Sequence, residues 1–403
     1  MAITARVASR INHVPAGAGA IVAELAVAGP MSRQDILSSS GLARATVLQR
    51  LNKLFSAGLI EEADRVISGR GRPTQLIDLN KQCALTFVAD LGEHHFRLAI
   101  TDLNPRILIE QVVEFDILTP PYRTLESMAS TLLGMMEAIG RNKREVLGIC
   151  IGLPAPVDFE AGRPAGPSII KAWEDVPVRD WMAEHLGMPA YVENDVNLLT
   201  LAETRRSGRD AGHFFYVKAG TGIGSGIVSQ GVLYRGYKGV AGDIGHIQFM
   251  SQDAPVCRCG KRGCVEARAG GWAIARDLRV LGIMAQDAGD VLRLHRKGEP
   301  EAIRLVREAG LVLGEVVADA VSFLNPEVIA IGGTLAGTGD DLLAGIREVV
   351  YSRVLPIATR GLKIVAVDHS PHAALIGAAI LVSEMELGPR KAEATVQRLT
   401  RVG

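Results

Sequence analysis

The sequence predicts an α/β protein built by duplication, with a small helical head at its N-terminus. Three observations carry that expectation. Nearly half of the residues (48%) are apolar and only 4% are aromatic, the balance of an α/β chain with large aliphatic cores. At 403 residues the chain exceeds one ordinary domain, and two to three are expected. Most telling, a strand–turn–strand unit at Ala84–Asp102 recurs at Phe214–Tyr234, and each opens a stretch of alternating strand and helix patterns.

Lys and Arg (44) balance Asp and Glu (44), so the chain as a whole has no general attraction to nucleic acid or membrane. Residues 14–30 are apolar, but they contain Glu24 and run straight into a helical pattern, which argues against a signal peptide. No run of about 18 uncharged apolar residues exists, so no membrane span is expected. Cys83 and Cys150 lie in apolar, strand-like runs and read as buried reduced thiols, which places the chain in a reducing cytoplasm.

Residues 14–61 read as three helices. Ile21, Val22, Leu25 and Ala26 form an apolar stripe on the first. Ser32 is a good N-cap for a short helix through Ile36 and Leu37, and Ser39-Ser40-Gly41 is a turn. A third helix, Ala43–Ser56, sets Val47, Leu51 and Leu54 on one face and turns Arg44, Gln49, Arg50 and Lys53 elsewhere; Gly58 stops it. One short helix positions and the next offers polar side chains to a major groove, with Arg44, Thr46, Gln49 and Arg50 as the candidates. The competing reading is a small bundle with a solvated charged face. The segment from Leu59 to Leu79 favours DNA. Leu59–Glu62 and Thr74–Leu79 read as a hairpin wing, and Arg70-Gly71-Arg72-Pro73 lies between them. The glycine lets the backbone approach a minor-groove floor, and Arg70 and Arg72 match its negative potential. From Arg44 to Arg72 six basic residues face three acidic ones. Residues 1–80 are therefore expected to be a winged helix-turn-helix that binds operator DNA, and residues 81–403 a second unit.

Beyond Lys81 the pattern changes. Strands are expected at Ala84–Asp90 and Phe96–Asp102 around a turn at Gly92–His95, then a strand at Ile107–Phe115, a helix at Thr124–Gly140 and a strand at Val146–Gly152. Ala190–Glu193 is a strand, Asn194-Asp195 ends it, and Val196–Ser207 is helical. In the second unit Phe214–Lys218 and Ile227–Tyr234 flank a glycine-rich loop, Gly220–Gly226. A helix at Ala302–Leu324, a strand at Val328–Gly332 and a helix at Ala373–Glu384 complete it. The charged tail beyond Gly388 is expected to fray at its end.

Three of the chain's five cysteines fall within eight residues: Cys257, Cys259 and Cys264. With His246 they make a closed four-ligand set, the usual composition of a structural zinc site. Gly260 and Gly263 supply the turns of a tight knuckle. The C-x-C and C-x4-C spacings fit a redox-active pair less well.

Gly220–Gly226 lies between two strands and so is not a dinucleotide fingerprint, but its bare amides suit a phosphate. The alternative is an ordinary glycine-rich hairpin. Asp195 either caps the helix it opens or accepts the proton of a sugar hydroxyl, with Asn194 bonding a neighbouring one. Asp243, His246 and Glu266 flank the knuckle and offer more short polar groups of the same kind. A histidine with one ring nitrogen on zinc has its other N–H free for a ligand.

The run Ala241-Gly242-Asp243-Ile244-Gly245-His246, succeeded after ten residues by Cys257-Arg258-Cys259-Gly260-Lys261-Arg262-Gly263-Cys264-Val265-Glu266, resembles the signature of the ROK family (repressors, open reading frames, kinases). Glu193–Asn197 and Gly220–Gly226 resemble two further family motifs in the right order, and the likeness covers roughly residues 84–385. It implies an actin-like, RNase H-like duplicated fold, a sugar site between two lobes, and a homodimer or homotetramer. By that resemblance Asn194, Asp195, Asp243, His246 and Glu266 fall on sugar-contacting positions, and Asp195 falls on the kinase base. His246, Cys257, Cys259 and Cys264 fall on the zinc ligands. Two departures matter. The family's first phosphate loop reads Asp-x-Gly-Gly-Thr, whereas here it is Asp90-Leu91-Gly92-Glu93-His94, so a carboxylate and an imidazole replace a glycine and a hydroxyl. Asp243 stands where the family usually has Glu.

The resulting expectation is a cytoplasmic regulator, acting as a repressor, that binds a sugar or sugar phosphate and is not an enzyme. Its rivals are a sugar kinase with an accessory DNA-binding head and a constitutive DNA-binding protein without ligand.

Overall fold

The computed structural model describes residues 17–66, 74–92, 95–115, 119–165, 171–206, 212–249, 253–367 and 370–400. The head comprises α1 (Ala18–Ala28), β1 (Met31–Ser32), α2 (Arg33–Ser40), α3 (Arg44–Ser56), β2 (Ile60–Val66) and β3 (Thr74–Leu79). Ser32 and Asp35 form a reciprocal capping box: the Ser32 hydroxyl accepts from the Asp35 amide, and Asp35 accepts from the Ser32 amide, both at 3.1 Å. The three helices bury Ile21, Leu25, Ile36, Val47, Leu51 and Leu54 against Ile60 and Ile77 of the hairpin. β1 adds to β3, giving the antiparallel order β1-β3-β2 of a winged helix.

The first lobe contains β4 (Leu85–Leu91), β5 (His95–Asp102), β6 (Ile107–Glu114), α4 (Pro121–Ala138), β7 (Val146–Leu153), the short pair β8 (Val157–Asp158) and β9 (Arg163–Pro164), α5 (Val178–Leu186) and β10 (Ala190–Asn194). Then α6 (Asp195–Arg206) leads to the second lobe: β11 (His213–Ala219), β12 (Ile223–Ser229), β13 (Val232–Tyr234), α7 (Val265–Ala269), α8 (Gly271–Val280), α9 (Ala288–Arg296), α10 (Pro300–Leu324), β14 (Val328–Gly332), α11 (Asp340–Arg353), α12 (Pro356–Thr359) and β15 (Lys363–Ala366). Two C-terminal helices close the chain, α13 (Ala373–Leu387) and α14 (Ala392–Thr400).

The duplication is explicit in the sheets. One runs β6-β5-β4-β7-β10 and the other β13-β12-β11-β14-β15. In each, an antiparallel three-strand meander is continued on its first strand by two parallel strands. The near-continuous apolar runs of β4 and β7 fit a sheet covered on both faces.

Two helices tie the lobes together. α6 leaves the first sheet yet packs on β11 and β12 of the second, and α13 leaves the second yet packs on β4 and β7 of the first. They cross so closely that a Cβ at Gly377 would stand 1.9 Å from the Leu198 carbonyl oxygen, so only glycine fits.

The tail beyond Gly388 holds more structure than its charge foretells. α14 buries Ala392, Thr395 and Val396 and packs on α1 of the head. There the Gly19 amide donates to the Glu393 carboxylate at 2.8 Å. The expected frayed end, residues 401–403, lies outside the described residues.

Candidate functional site

Between the lobes, the junction of β10 and α6 places the predicted polar pair. Asn194 caps α6, its Oδ1 accepting the amides of Val196 (3.0 Å) and Asn197 (3.2 Å), while its Nδ2 donates to the Ala155 carbonyl (3.0 Å). The capping role weighed for Asp195 therefore belongs mainly to Asn194. Asp195 Oδ1 accepts from the Val196 amide at 2.8 Å and from Asn194 Nδ2 at 3.2 Å. Its Oδ2 takes the Lys218 ammonium at 2.5 Å. Lys218 comes from β11 of the other lobe, so this ion pair spans the lobe boundary. No local pattern in the sequence signals it.

Asp90, at the end of β4, belongs to the same cluster. Burial pushes its carboxyl up to about 6; Asp195 adds to the shift, and Lys218 and Arg97 oppose it. Beneath lies a second layer. Glu193 is buried and accepts Arg235 Nε at 2.6 Å and Asn197 Nδ2 at 2.8 Å. The Arg235 guanidinium sits 4.0 Å from the centre of the Phe159 ring, and Phe159 stacks on Tyr191 with ring planes 11° apart. The Tyr191 hydroxyl donates to buried Glu386 of α13, which also takes Lys391 Nζ (3.0 Å) and Thr395 Oγ1 (3.2 Å). Burial and Glu386 together raise the Tyr191 phenol.

The glycine-rich loop is shorter than its sequence implies. Only Gly220-Thr221-Gly222 turns; β12 begins at Ile223, and Gly224 and Gly226 are strand residues. Packing keeps them bare: a Cβ at Gly226 would lie 2.0 Å from Thr200 Oγ1 on α6. Glu266, 8% exposed, braces the turn from the knuckle side. Its Oε2 accepts the Ile223 amide at 3.1 Å, and its Oε1 accepts Trp272 Nε1 at 3.2 Å and lies 3.6 Å from Arg258 Nη2. Asp243 is exposed, next to a short 3-10 turn, Ile244–His246, packed on β12. Glu93 and His94, the departures in the first turn, lie outside the described residues.

His246, Cys257, Cys259 and Cys264 bring one ligand atom each to within 4.8 Å of one another. Cys259 and Cys264 sulfurs are 3.7 Å apart, and the Cys257 sulfur lies 3.9 Å from His246 Nδ1. Two Zn–S bonds of about 2.3 Å at a tetrahedral angle put sulfurs about 3.8 Å apart, so the cluster is of the right size for such an ion. Gly260 and Gly263 hold positive φ (86° and 74°) in the knuckle. Crowding leaves Cys264 a reluctant acid on its own: burial first, then hydrogen bonding with Cys259 and the nearby Cys257, push it up to about 12.

In the head, Arg44 and Gln49 are exposed on α3, and Thr46 and Arg50 are half-buried. Arg70 and Arg72 lie outside the described residues. Cys150 is buried as expected and Cys83 half-buried. Among the described residues no helix is long and apolar enough to cross a membrane.

Fold and cleft together define a two-lobed α/β protein of the sugar-kinase type joined to a winged helix. Residues 86–385 match the ROK family, and the chain belongs to that family. It is 28% identical over 380 residues to the DNA-binding transcriptional dual regulator NagC of Escherichia coli, a match that spans 89% of this chain and 90% of the relative. It is 30% identical over 272 residues to a glucokinase of Halalkalibacterium halodurans, but that match spans only 63% of this chain against 82% of the enzyme. A crystal structure of a ROK family transcriptional regulator, a homologue of the Escherichia coli Mlc protein, superimposes with a TM-score of 0.80 at 24% identity, covering 95% of this chain and 98% of that one.

Proposed function

We propose that this chain is a sugar-responsive transcriptional regulator of the cytoplasm, acting as a repressor. The observation that carries the reading is that one chain joins a winged helix to a sugar-kinase-type fold, with α14 packed on α1 of the head and bonded through Arg398 to the start of β7 in the first lobe. The relatives support the same reading: the match to the regulator spans 89% of this chain and the match to the glucokinase 63%.

In this reading residues 1–80 form the operator-binding domain and 81–403 the sugar-binding one. Arg44, Thr46, Gln49 and Arg50 face the major groove, and Arg70 and Arg72 the minor. Asn194, Asp195, Asp243, His246 and Glu266 meet the sugar. His246, Cys257, Cys259 and Cys264 hold a structural zinc ion, which fixes the knuckle and, through Glu266, the turn that floors the cleft. A homodimer or homotetramer presents paired heads to the operator. Ligand acts by favouring one lobe arrangement. A contiguous route to the head exists: Arg235, Phe159, Tyr191, Glu386, α14 and α1.

The second reading, an ATP-dependent sugar kinase with an accessory head, is favoured by Asp195 and the Gly220–Gly222 turn and opposed by Glu93 and His94. Glu93 would repel a polyphosphate by roughly 1 kcal/mol or more. Two measurements decide. Fluorescence anisotropy on DNA from upstream of the chain's own gene should show binding that a sugar changes, and Arg70→Ala with Arg72→Ala should weaken it. Binding indifferent to every sugar tested would overturn the regulator reading, and phosphorylation at ordinary kinase rates would install the kinase reading instead.

A further inference from the structure

We propose that Lys218 makes the cleft a reader of an unphosphorylated sugar: its ammonium and the Asp195 carboxylate together bind one free hydroxyl and reject the phosphate ester of that hydroxyl. The proposal rests on the sugar-binding reading and names the chemical class of the effector.

Lys218 stands two residues before Gly220, at the end of β11. Its cross-strand neighbours are Gly224 on β12 and Gly332 on β14, so no bulky side chain beside it obstructs its stem. The stem reaches across the lobe boundary to Asp195 at 2.5 Å. The lysine side chain is 30% exposed and the aspartate 13%, so the pair is partly open to the cleft. A hydroxyl is both donor and acceptor. A carboxylate can only accept and an ammonium can only donate, so the two side by side satisfy one hydroxyl in both polarities.

A phosphate ester at the same oxygen loses its donor hydrogen and brings negative charge. The cation there is already matched by Asp195. Asp90, in the same cluster, adds a second carboxylate, and a group with a pKa of about 6 is mostly ionised at neutral pH. Arg97, the other cation that acts on Asp90, is itself paired with Glu110. Among the described residues, two carboxylates then stand against one ammonium, a balance that repels a phosphate dianion. A built phosphate subsite would show the opposite balance, with cations in excess.

The test is calorimetric titration of the full chain with D-glucose, D-xylose and N-acetyl-D-glucosamine, and with glucose 1-phosphate, glucose 6-phosphate and N-acetylglucosamine 6-phosphate. A neutral sugar should bind, and its phosphate ester at the recognised hydroxyl should bind at least tenfold more weakly. Lys218→Met should lose at least tenfold in affinity for that sugar, and Lys218→Arg should keep most of it, with unchanged circular dichroism in both. An ester that binds as tightly as its parent sugar, or tighter, overturns the assignment while leaving the sugar-responsive reading in place. A folded Lys218→Met of unchanged sugar affinity does the same. Absence of heat from all six compounds removes the sugar-responsive reading, and this proposal falls with it.

Discussion

Glu386 joins the cleft layer to the C-terminal helix and, beyond it, to the head, and Glu386→Gln tests that role. The carboxylate is 3% exposed. It accepts the Tyr191 hydroxyl, Lys391 Nζ and Thr395 Oγ1, with Arg398 Nη2 at 3.8 Å. Hydrogen bonds to a buried charge contribute about 1.5–3 kcal/mol each. Lys391 is 46% exposed and counts for much less, because water replaces its partner. Glutamine keeps the shape and one acceptor but not the charge, so about 3 kcal/mol of the docking of α14 should be lost. At about 1.4 kcal/mol per factor of ten, that is roughly a hundredfold increase in local opening. Native-state hydrogen exchange reads this directly. Amides of α14 and α1 should exchange about a hundredfold faster, and those of α10, which this network does not touch, should not change. Equal acceleration in α10 would mean global destabilisation, and no change in α14 would refute the role of this carboxylate in fastening the helix.

Asp90 carries a carboxyl whose pKa is raised from 3.8 to about 6, so the folded state holds its proton more tightly than the unfolded chain. The resulting stability is full below about pH 4 and gone above about pH 6; Asp90→Asn should therefore raise stability at pH 7.5 by about 2–3 kcal/mol and flatten thermal melting between pH 4 and 6. Gly226→Ala puts a methyl 2.0 Å from Thr200 Oγ1, whose own bond to the Val196 carbonyl holds it in place; urea unfolding should show a loss of about 2–3 kcal/mol. Stripping metal with a strong chelator, or replacing Cys257 and Cys259 by serine, should lower sugar affinity at least tenfold while operator affinity stays within about twofold. Unchanged sugar affinity would break the proposed link from knuckle through Glu266 to the Gly220–Gly222 turn.

Most of the architecture was legible in the sequence because it rests on local signals. Ser32 with Asp35, the apolar stripe of α3, and the alternation of strand and helix after Lys81 are each read from neighbours a few residues apart. The His/Cys cluster was legible for the same reason, since three of its four residues lie within eight positions of one another. The glycine-rich segment shows the limit of such reading. Gly220 to Gly226 reads as one loop, yet Gly224 and Gly226 are strand residues. They are kept bare by α6, a helix from an earlier part of the chain that folds back onto β12. The tail shows the converse. Its charges read as solvated, but Glu393 accepts the Gly19 amide, 374 residues away in the chain, and no local pattern announces such a partner.

Lys218 carries this furthest. In sequence it is a lone lysine at the end of an apolar strand, the kind of residue that ordinarily marks where a strand meets water. Its meaning depends on Asp195 from α6, on Asp90 from β4, and on glycines at two cross-strand positions, and these come together only when both lobes are folded. The same ion pair bears on the choice between kinase and regulator. A base must have an oxygen available to the proton it removes. Asp195 has one oxygen on a backbone amide and a neighbouring side-chain amide and the other on an ammonium, so both are engaged before any sugar arrives. A carboxylate held in this way still accepts a hydroxyl hydrogen bond in concert with the ammonium, which is binding, but it is poorly placed to carry the proton off, which is catalysis. The retention of Asp195 therefore favours the kinase less than its place in the sequence suggests.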